Sequence, residues 1–134
     1  MRFSRLMRLT WAMVTVLLII GSVATAAAGA NIQWYTSGVY YDGSGRLVIT
    51  GYFKNEGTVT IDKINWVTLN VNLQRSDGTW WLAYSDTWHN IDIVLQPGQT
   101  YPCNLQSSET RQFRFQGFRV TGTINYHVVT GSDA

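Results

Sequence analysis

Three side chains in this sequence could ligate a transition metal: Cys103, His89 and His127. A blue-copper site needs a second histidine soon after the cysteine and usually a methionine. No histidine follows Cys103 closely, and no methionine occurs after residue 30, so the composition argues against copper. Zinc bound by these residues and an aspartate has no support from ligand spacing. We therefore expect no metal and no cofactor, with His127 on the solvent face of a strand and His89 in a turn.

Cys103, the single cysteine of the chain, is also a candidate nucleophile. It lies between Pro102 and Asn104, with no predicted helix start and no basic neighbour that would lower its thiol pKa. A lone cysteine in an exported protein is either buried and inert or free to bridge to another chain. We expect a buried thiol, and the alternative is an intermolecular disulfide through Cys103.

The acidic side chains fall in or beside predicted turns, or on the polar face of a strand. Asp42 and Asp77 each precede a glycine, where a carboxylate typically bonds the local backbone. Calcium at Asp42 would find one carboxylate where it prefers several oxygens. A glycosidase needs two carboxylates facing each other across a cleft, which a small sandwich rarely has. These patterns predict that the protein is not an enzyme.

Aromatic residues are abundant in this sequence, and two tryptophans are adjacent. Side chains of neighbouring residues in a strand point to opposite faces, so Trp80 and Trp81 must separate. Leu82 and Tyr84 share the parity of Trp80, which predicts that Trp80 faces the core and Trp81 faces outward.

Trp66 and Tyr52 are predicted to face outward with Trp81. Each lies out of step with nearby apolar residues that are expected to face the core. An exposed aromatic platform of Trp81, Trp66 and Tyr52 would suit the stacking of sugar rings, and exposed apolar patches generally mark binding sites. The alternative is that both faces of the hairpin are covered by the other sheet and by residues 32–35.

The elements that must position these side chains are strands, because period-two alternation recurs between clusters of Gly, Asn and Asp. Helical periodicity is absent after residue 30. The predicted strands are residues 32–41, 46–54, 58–74 as one strand or two, 79–88, 91–95, 100–105, 111–116 and 118–129.

The parity of the apolar residues changes at two places, near Trp66 and at Gly117. One extra residue in a strand turns every later side chain to the other face. The changes therefore predict β-bulges near Trp66 and at Gly117. The alternative is that the chain crosses from one sheet to the other at these points.

About seven short strands favour an all-β fold, a two-sheet antiparallel immunoglobulin-like sandwich, with a small closed barrel as the alternative. In VTLNVNLQ, residues 67–74, the Val and Leu side would pack between the sheets and the Thr, Asn and Gln side would meet water. Such a neutral polar face is poorly protected against edge-to-edge pairing. It also suits contact with a polysaccharide or a partner strand.

Residues 1–30 have the order of a secretory signal peptide. Arg2, Arg5 and Arg8 precede an apolar run, and small residues follow up to a cleavage point before Asn31. The alternative is an uncleaved membrane anchor, because residues 9–30 are uncharged and long enough to cross roughly 30 Å of hydrocarbon. We predict a secreted or cell-envelope protein with one domain, residues 31–134.

Removal of the leader changes the charge of the protein. The ten basic and eight acidic residues of the chain become seven and eight, so residues 31–134 carry a net charge of −1. No cluster of Lys or Arg in the sequence could track a phosphate backbone. We therefore expect no nucleic-acid partner, and membrane contact only through an uncleaved N-terminal segment.

Three stretches, GYFKNEGTVTIDKI, VNLQRSDG and VLQPGQTYP, resemble the FxLYD-like and SLAP-like immunoglobulin-type sandwiches of secreted bacterial surface proteins. They lie within residues 47–102, about half of the mature chain, and VNLQ departs from the aromatic and acidic core of the FxLYD strand. The resemblance implies a binding or spacer module at the cell surface and implies no catalytic residues.

The sequence thus predicts an exported, non-enzymatic module for binding or spacing at the cell envelope. The alternatives are a carbohydrate-binding module that uses the aromatic platform, and a surface subunit that self-associates through edge strands or Cys103. The expected partners are an envelope polysaccharide or a surface protein.

Overall fold

The computed structural model describes residues 29–129, and the predicted signal peptide therefore lies almost wholly outside the described residues. The described residues form six strands and no helix. The strands are β1 (Ile32–Tyr41), β2 (Leu47–Asn55), β3 (Ile61–Gln74), β4 (Trp80–Ile91), β5 (Thr100–Gln106) and β6 (Gly117–Val128).

The strands form two antiparallel sheets of three strands each. Sheet I has the order β1-β2-β5, and sheet II has the order β4-β3-β6. The predicted all-β fold with two antiparallel sheets is confirmed, and the strand number is six rather than about seven. Two predicted strands are not separate strands: Ile91 ends β4, residues 92–95 pair only through a single bridge between Leu95 and Ile61, and residues 111–116 connect the two sheets.

One hydrophobic core lies between the sheets and draws on both. Trp34 and Phe53 of sheet I are fully buried, with ring centroids 4.8 Å apart in an edge-on arrangement. On β3, the Val and Leu residues from 67 to 73 are fully buried, and the intervening Thr and Asn side chains are half-buried. The predicted division of β3 into a core side and a water side is confirmed.

The parity change near Trp66 is a register irregularity inside β3. The pairing of β3 with β6 shifts between Ile64 and Trp66, so that Ile64 and Val67 both reach the core. The predicted irregularity at this position is confirmed.

The parity change at Gly117 has a different cause. Gly117 is the first residue of β6, so the predicted bulge there is wrong. The preceding residues 107–116, here called the crossing segment, carry the chain from sheet I to sheet II. A crossing between sheets is the alternative explanation that the sequence analysis gave for this parity change. The Ser107 N–H donates to the Leu47 carbonyl at 2.8 Å, and the Gln116 N–H donates to the Gln74 carbonyl at 2.9 Å.

Candidate functional site

The solvent side of sheet II is the surface on which the site is built. Cross-strand partners in an antiparallel sheet point to the same side. The register therefore places one set of side chains away from the core, and we call this set the outer face of sheet II. It comprises Trp80, Leu82, Ser85, Thr87 and His89 of β4, Trp66, Thr68, Asn70, Asn72 and Gln74 of β3, and Arg119, Thr121, Thr123 and Asn125 of β6.

Trp80, not Trp81, is the outward indole of β4. Trp80 pairs with Gln74 of the outer face, whereas Trp81 pairs with the fully buried Leu73. Trp80 is 37% exposed, and Trp81 is half-buried against Phe113, with ring centroids 5.4 Å apart. The predicted outward orientation of Trp81 is wrong.

The reason for this error is an irregularity in β4. Val71 pairs with Tyr84 and the next residue, Asn72, pairs with Leu82, so that Ala83 is an extra residue. An extra residue reverses parity. Trp81 and Tyr84 therefore both face the inner side of the sheet, although residues an odd number of positions apart would face opposite sides in a regular strand.

The three residues of the predicted platform lie on three different surfaces. Trp66 lies on the outer face of sheet II, between His89 and Asn125. Trp81 faces inward. Tyr52 lies on the solvent side of sheet I, where its ring stacks on Tyr35 at a centroid distance of 5.2 Å. The structure therefore brings no two of them into one platform, and the sequence analysis missed Trp80.

Trp80 and Arg119 form a stacked pair at one end of the outer face. The Arg119 Cζ lies 4.2 Å from the centroid of the indole, within the range of a cation–π interaction. The absence of a side chain at Gly117 makes room for this arrangement. A Cβ there would lie 2.9 Å from Gln74 Oε1 and 3.5 Å from the Trp80 Cη2.

The centre of the outer face is uncharged and carries short polar side chains. Two rows cross the three strands, Thr87–Thr68–Thr123 and Ser85–Asn70–Thr121. The Thr68 and Thr87 hydroxyls are 2.7 Å apart, and the Ser85 hydroxyl donates to Asn70 Oδ1 at 2.6 Å. From Trp66 to Gln74 the face extends about 27 Å, at about 3.4 Å per strand residue. It offers a long row of hydroxyl and amide groups.

A groove opens on the inner side of the same end of sheet II, with a volume of about 520 Å³. The Arg75 Cζ lies 4.3 Å from the centroid of Trp81 and covers part of its indole. The groove is lined by Arg75, Ser76, Trp81, Phe113, Arg114, Phe115 and Gln116. Aromatic side chains thus form its walls, and two arginines give it positive charge.

The residues considered for metal chemistry lie on three different strands, Cys103 on β5, His89 on β4 and His127 on β6. Cys103 pairs with Gly51 on the inner side of β5, and burial raises the pKa of its thiol, which disfavours the reactive thiolate. The exposed His127 places Nδ1 2.6 Å from Asp62 Oδ1, and His89 is exposed near the end of β4. Within residues 29–129, no three His, Cys, Asp or Glu side chains form a group that could hold a metal ion.

In the two Asp-Gly turns, Oδ1 of each carboxylate bonds the local chain, as predicted. Asp42 Oδ1 accepts hydrogen bonds from the Ser44 N–H and hydroxyl. Asp77 Oδ1 accepts from the Thr79 N–H and hydroxyl, and the backbone hydrogen bond is the main cause of the lowered pKa of Asp77. These carboxylates close turns.

Residues 29–129 include no helix with the length and apolar character needed to span a bilayer. Comparisons with known protein families, with curated proteins and with solved structures found no match to this chain.

Proposed function

We propose that this chain is an exported, non-enzymatic module of the cell envelope that binds polysaccharide on the outer face of sheet II. The immunoglobulin-like class of its sandwich and its resemblance to FxLYD-like and SLAP-like surface modules are part of the same proposal. The leader-like order of residues 1–30 supports the export part of the proposal.

The exposure of Trp80 and Leu82 next to the uncharged, polar centre of the outer face is the observation that carries the proposal. Leu82 is 56% exposed and Trp80 is 37% exposed, and both belong to the outer face. Exposed apolar groups rimmed by polar ones generally mark a binding surface. Sugars combine apolar ring faces with hydroxyl groups, which match an indole beside a row of Thr, Asn and Ser.

The length of the surface favours a polymer over a small molecule. The described outer face presents groups over about 27 Å along β3, at about 3.4 Å per residue. Small-molecule sites are instead concave and bury most of their ligand. A chain of several sugar residues could therefore lie along β3, with Trp66 at one end and Trp80 at the other.

The first test is retention of the protein on insoluble polysaccharides and peptidoglycan, with Trp80→Ala as the variant. We expect Trp80→Ala to weaken retention about tenfold or more, because truncation of an aromatic that anchors a binding surface can cost about 1.4 kcal/mol of binding free energy or more. The matched control is Tyr40→Ala, since Tyr40 is 48% exposed but lies on sheet I. Equal retention of Trp80→Ala and the wild type, or no retention of the wild type on any matrix, would contradict the proposal.

A further inference from the structure

We propose that the polysaccharide is acidic, and that its uronic acid carboxylates bind three arginines, Arg75, Arg114 and Arg119, at one end of sheet II. We call these residues the arginine strip. The inference rests on the proposed function and specifies its ligand class.

Two arginine–tryptophan stacks lie back to back at this end of the molecule. Arg119 stacks on Trp80 at 4.2 Å on the outer face, and Arg75 stacks on Trp81 at 4.3 Å in the groove. A guanidinium that stacks on a ring keeps its N–H edge free, and that planar fork matches the two oxygens of a carboxylate. Each stack thus offers an apolar surface beside a carboxylate receptor.

The arginine strip has no carboxylate partner among residues 29–129. In this part of the chain the Arg111 guanidinium forms an ion pair with Glu109, and His127 Nδ1 contacts Asp62 Oδ1. The Arg75 Nη1 donates to the Thr79 hydroxyl at 3.3 Å. Asp77 is the acidic group closest in sequence to Arg75, and its Oδ1 already accepts two hydrogen bonds from Thr79. The guanidinium groups of the strip therefore remain available to an external anion.

The two stacks are connected across the end of β6. Gln116 lines the groove, and the next residue, Gly117, lies beside the indole of Trp80 without a side chain to separate the two sites. A polymer on the outer face can therefore continue past Gly117 towards Arg75 and Arg114.

The charge distribution selects an anion, and the aromatic groups select a sugar. Residues 31–134 carry a net charge of −1, yet this end holds the three arginines of the strip, each on or beside an aromatic ring. A neutral sugar would offer these guanidinium groups only ordinary hydrogen bonds, whereas a carboxylate adds charge attraction and two parallel acceptors. A uronic acid provides both the pyranose ring and the carboxylate.

The test compares polymers that differ only in charge. Affinity electrophoresis would measure binding of the full chain to polygalacturonate and alginate, and to the esterified, uncharged form of each. We expect the wild type to bind an acid form at least tenfold more tightly than its ester. Arg119→Gln combined with Arg75→Gln should remove this preference, so that the double variant binds the acid and ester forms of a polymer with equal affinity.

Two controls separate the arginine strip from general effects. Lys63→Gln removes one positive charge near the opposite end of β3 and should keep the preference. Arg114→Gln alters an exposed side chain with no hydrogen bond or ion pair among residues 29–129, so it should fold normally and reduce the preference partially.

The outcomes distinguish this inference from the proposed function. Equal binding to acid and ester forms would overturn the inference and leave polysaccharide binding intact. Binding to poly-glutamate as tight as to polygalacturonate would also overturn it, because charge without a sugar ring would then suffice. Failure to bind every polysaccharide would overturn both.

Discussion

At the scale of single residues, the Asp42 carboxylate joins a hairpin turn to a third strand. Oδ1 accepts from the Ser44 N–H at 2.8 Å, the Ser44 hydroxyl at 2.6 Å and the Arg46 N–H at 3.2 Å. Oδ2 accepts from the Gln106 amide of β5 at 2.7 Å. Hydrogen bonds to the ionised form lower the pKa of Asp42 to about 2, with the Ser44 side chain as the largest cause.

We predict that Asp42→Ala lowers the melting temperature at neutral pH and flattens its decline in acid. The pKa of an unfolded aspartate is about 3.9, so the depressed pKa of the folded state stabilises the protein above about pH 4. That contribution disappears as the pH falls towards 2. Thermal melts between pH 7 and pH 2 would measure the effect, and Asp92→Ala is the control because Asp92 is exposed. Parallel curves for the wild type and Asp42→Ala would contradict this prediction.

The candidate site was only partly predictable at this scale. An outward tryptophan in β4 and a neutral polar face on β3 follow from alternation. The choice between Trp80 and Trp81 does not, because it depends on the extra residue Ala83. Nothing in the composition of Leu82-Ala83-Tyr84 indicates a bulge. The stack of Arg119 on Trp80 depends in turn on the pairing of β3 with both β4 and β6.

At the scale of elements, β2 is the central strand of sheet I and contains a glycine where the core is crowded. Gly51 pairs with Thr36 of β1 and Cys103 of β5. A Cβ at this position would meet the Tyr35 carbonyl and would lie 2.7 Å from Cζ2 of the buried Trp34. The missing side chain therefore lets the indole of Trp34 lie against the backbone of β2.

We predict that Gly51→Ala destabilises the domain by about 2 kcal/mol or more, because overpacking a core forces side chains and backbone apart. Replacement of glycine by alanine where there is room is instead neutral or stabilising, through the unfolded state. Gly43→Ala is the matched control, since no atom lies within 4 Å of a Cβ in that turn. Urea denaturation would measure both variants, and equal stability of the two would contradict the prediction.

Alternation predicts which side chains are buried more reliably than it predicts backbone pairing. Ile93 and Leu95 are buried as expected, but Asn90 adopts a positive φ of 56° near the end of β4. The following residues cover the core as a loop. Phe113 and Phe115 likewise face the core from the crossing segment, which is not a strand. Residues 92–95 pair with β3 only at the bridge between Leu95 and Ile61, and residues 111–116 belong to neither sheet, which the alternation of each segment alone does not encode.

The asparagine of the KNEG stretch illustrates the same limit. Its turn chemistry was predictable, since Asn55 Oδ1 accepts from the Gly57 N–H at 3.0 Å. Its longer-range role was not. The fully buried Asn55 amide also donates to the Leu95 carbonyl at 2.9 Å, and its backbone bonds the Gln99 carbonyl at 3.0 Å. Asn55 thus connects the KNEG stretch, residues 54–57, to the QPGQ stretch, residues 96–99, through hydrogen bonds.

At the scale of the whole molecule, a chain of hydroxyl groups couples the two sheets through the crossing segment. The Tyr84 hydroxyl of β4 donates to the Arg111 carbonyl, and it lies 2.9 Å from the Tyr41 hydroxyl of β1. Because Tyr84 has one proton to donate, Tyr41 donates to Tyr84. The Tyr41 oxygen in turn accepts from the Phe113 N–H at 2.8 Å. Sheet I, sheet II and the crossing segment are therefore connected through the Tyr41 and Tyr84 hydroxyls, each of which both donates and accepts a hydrogen bond.

We predict that Tyr84→Phe destabilises the whole domain by about 1–3 kcal/mol, because it leaves a carbonyl and a hydroxyl without their partner in a partly buried site. Urea denaturation would measure this loss. Tyr40→Phe is the control, since Tyr40 is exposed. Equal stability of Tyr84→Phe and the wild type at neutral pH would show that the hydroxyl chain contributes nothing to the coupling of the sheets.

The same hydroxyl should make the domain sensitive to alkali. Burial raises the pKa of the Tyr84 phenol, which means that the folded state favours the neutral form. This stabilisation is fully present below the pKa of an unfolded tyrosine, about 10, and is lost as the pH rises above that value. Tyr84→Phe has no such proton to lose, so its free energy of unfolding should fall less between pH 9 and pH 11 than that of the wild type. An equal fall in both proteins would mean that other groups govern the alkaline transition.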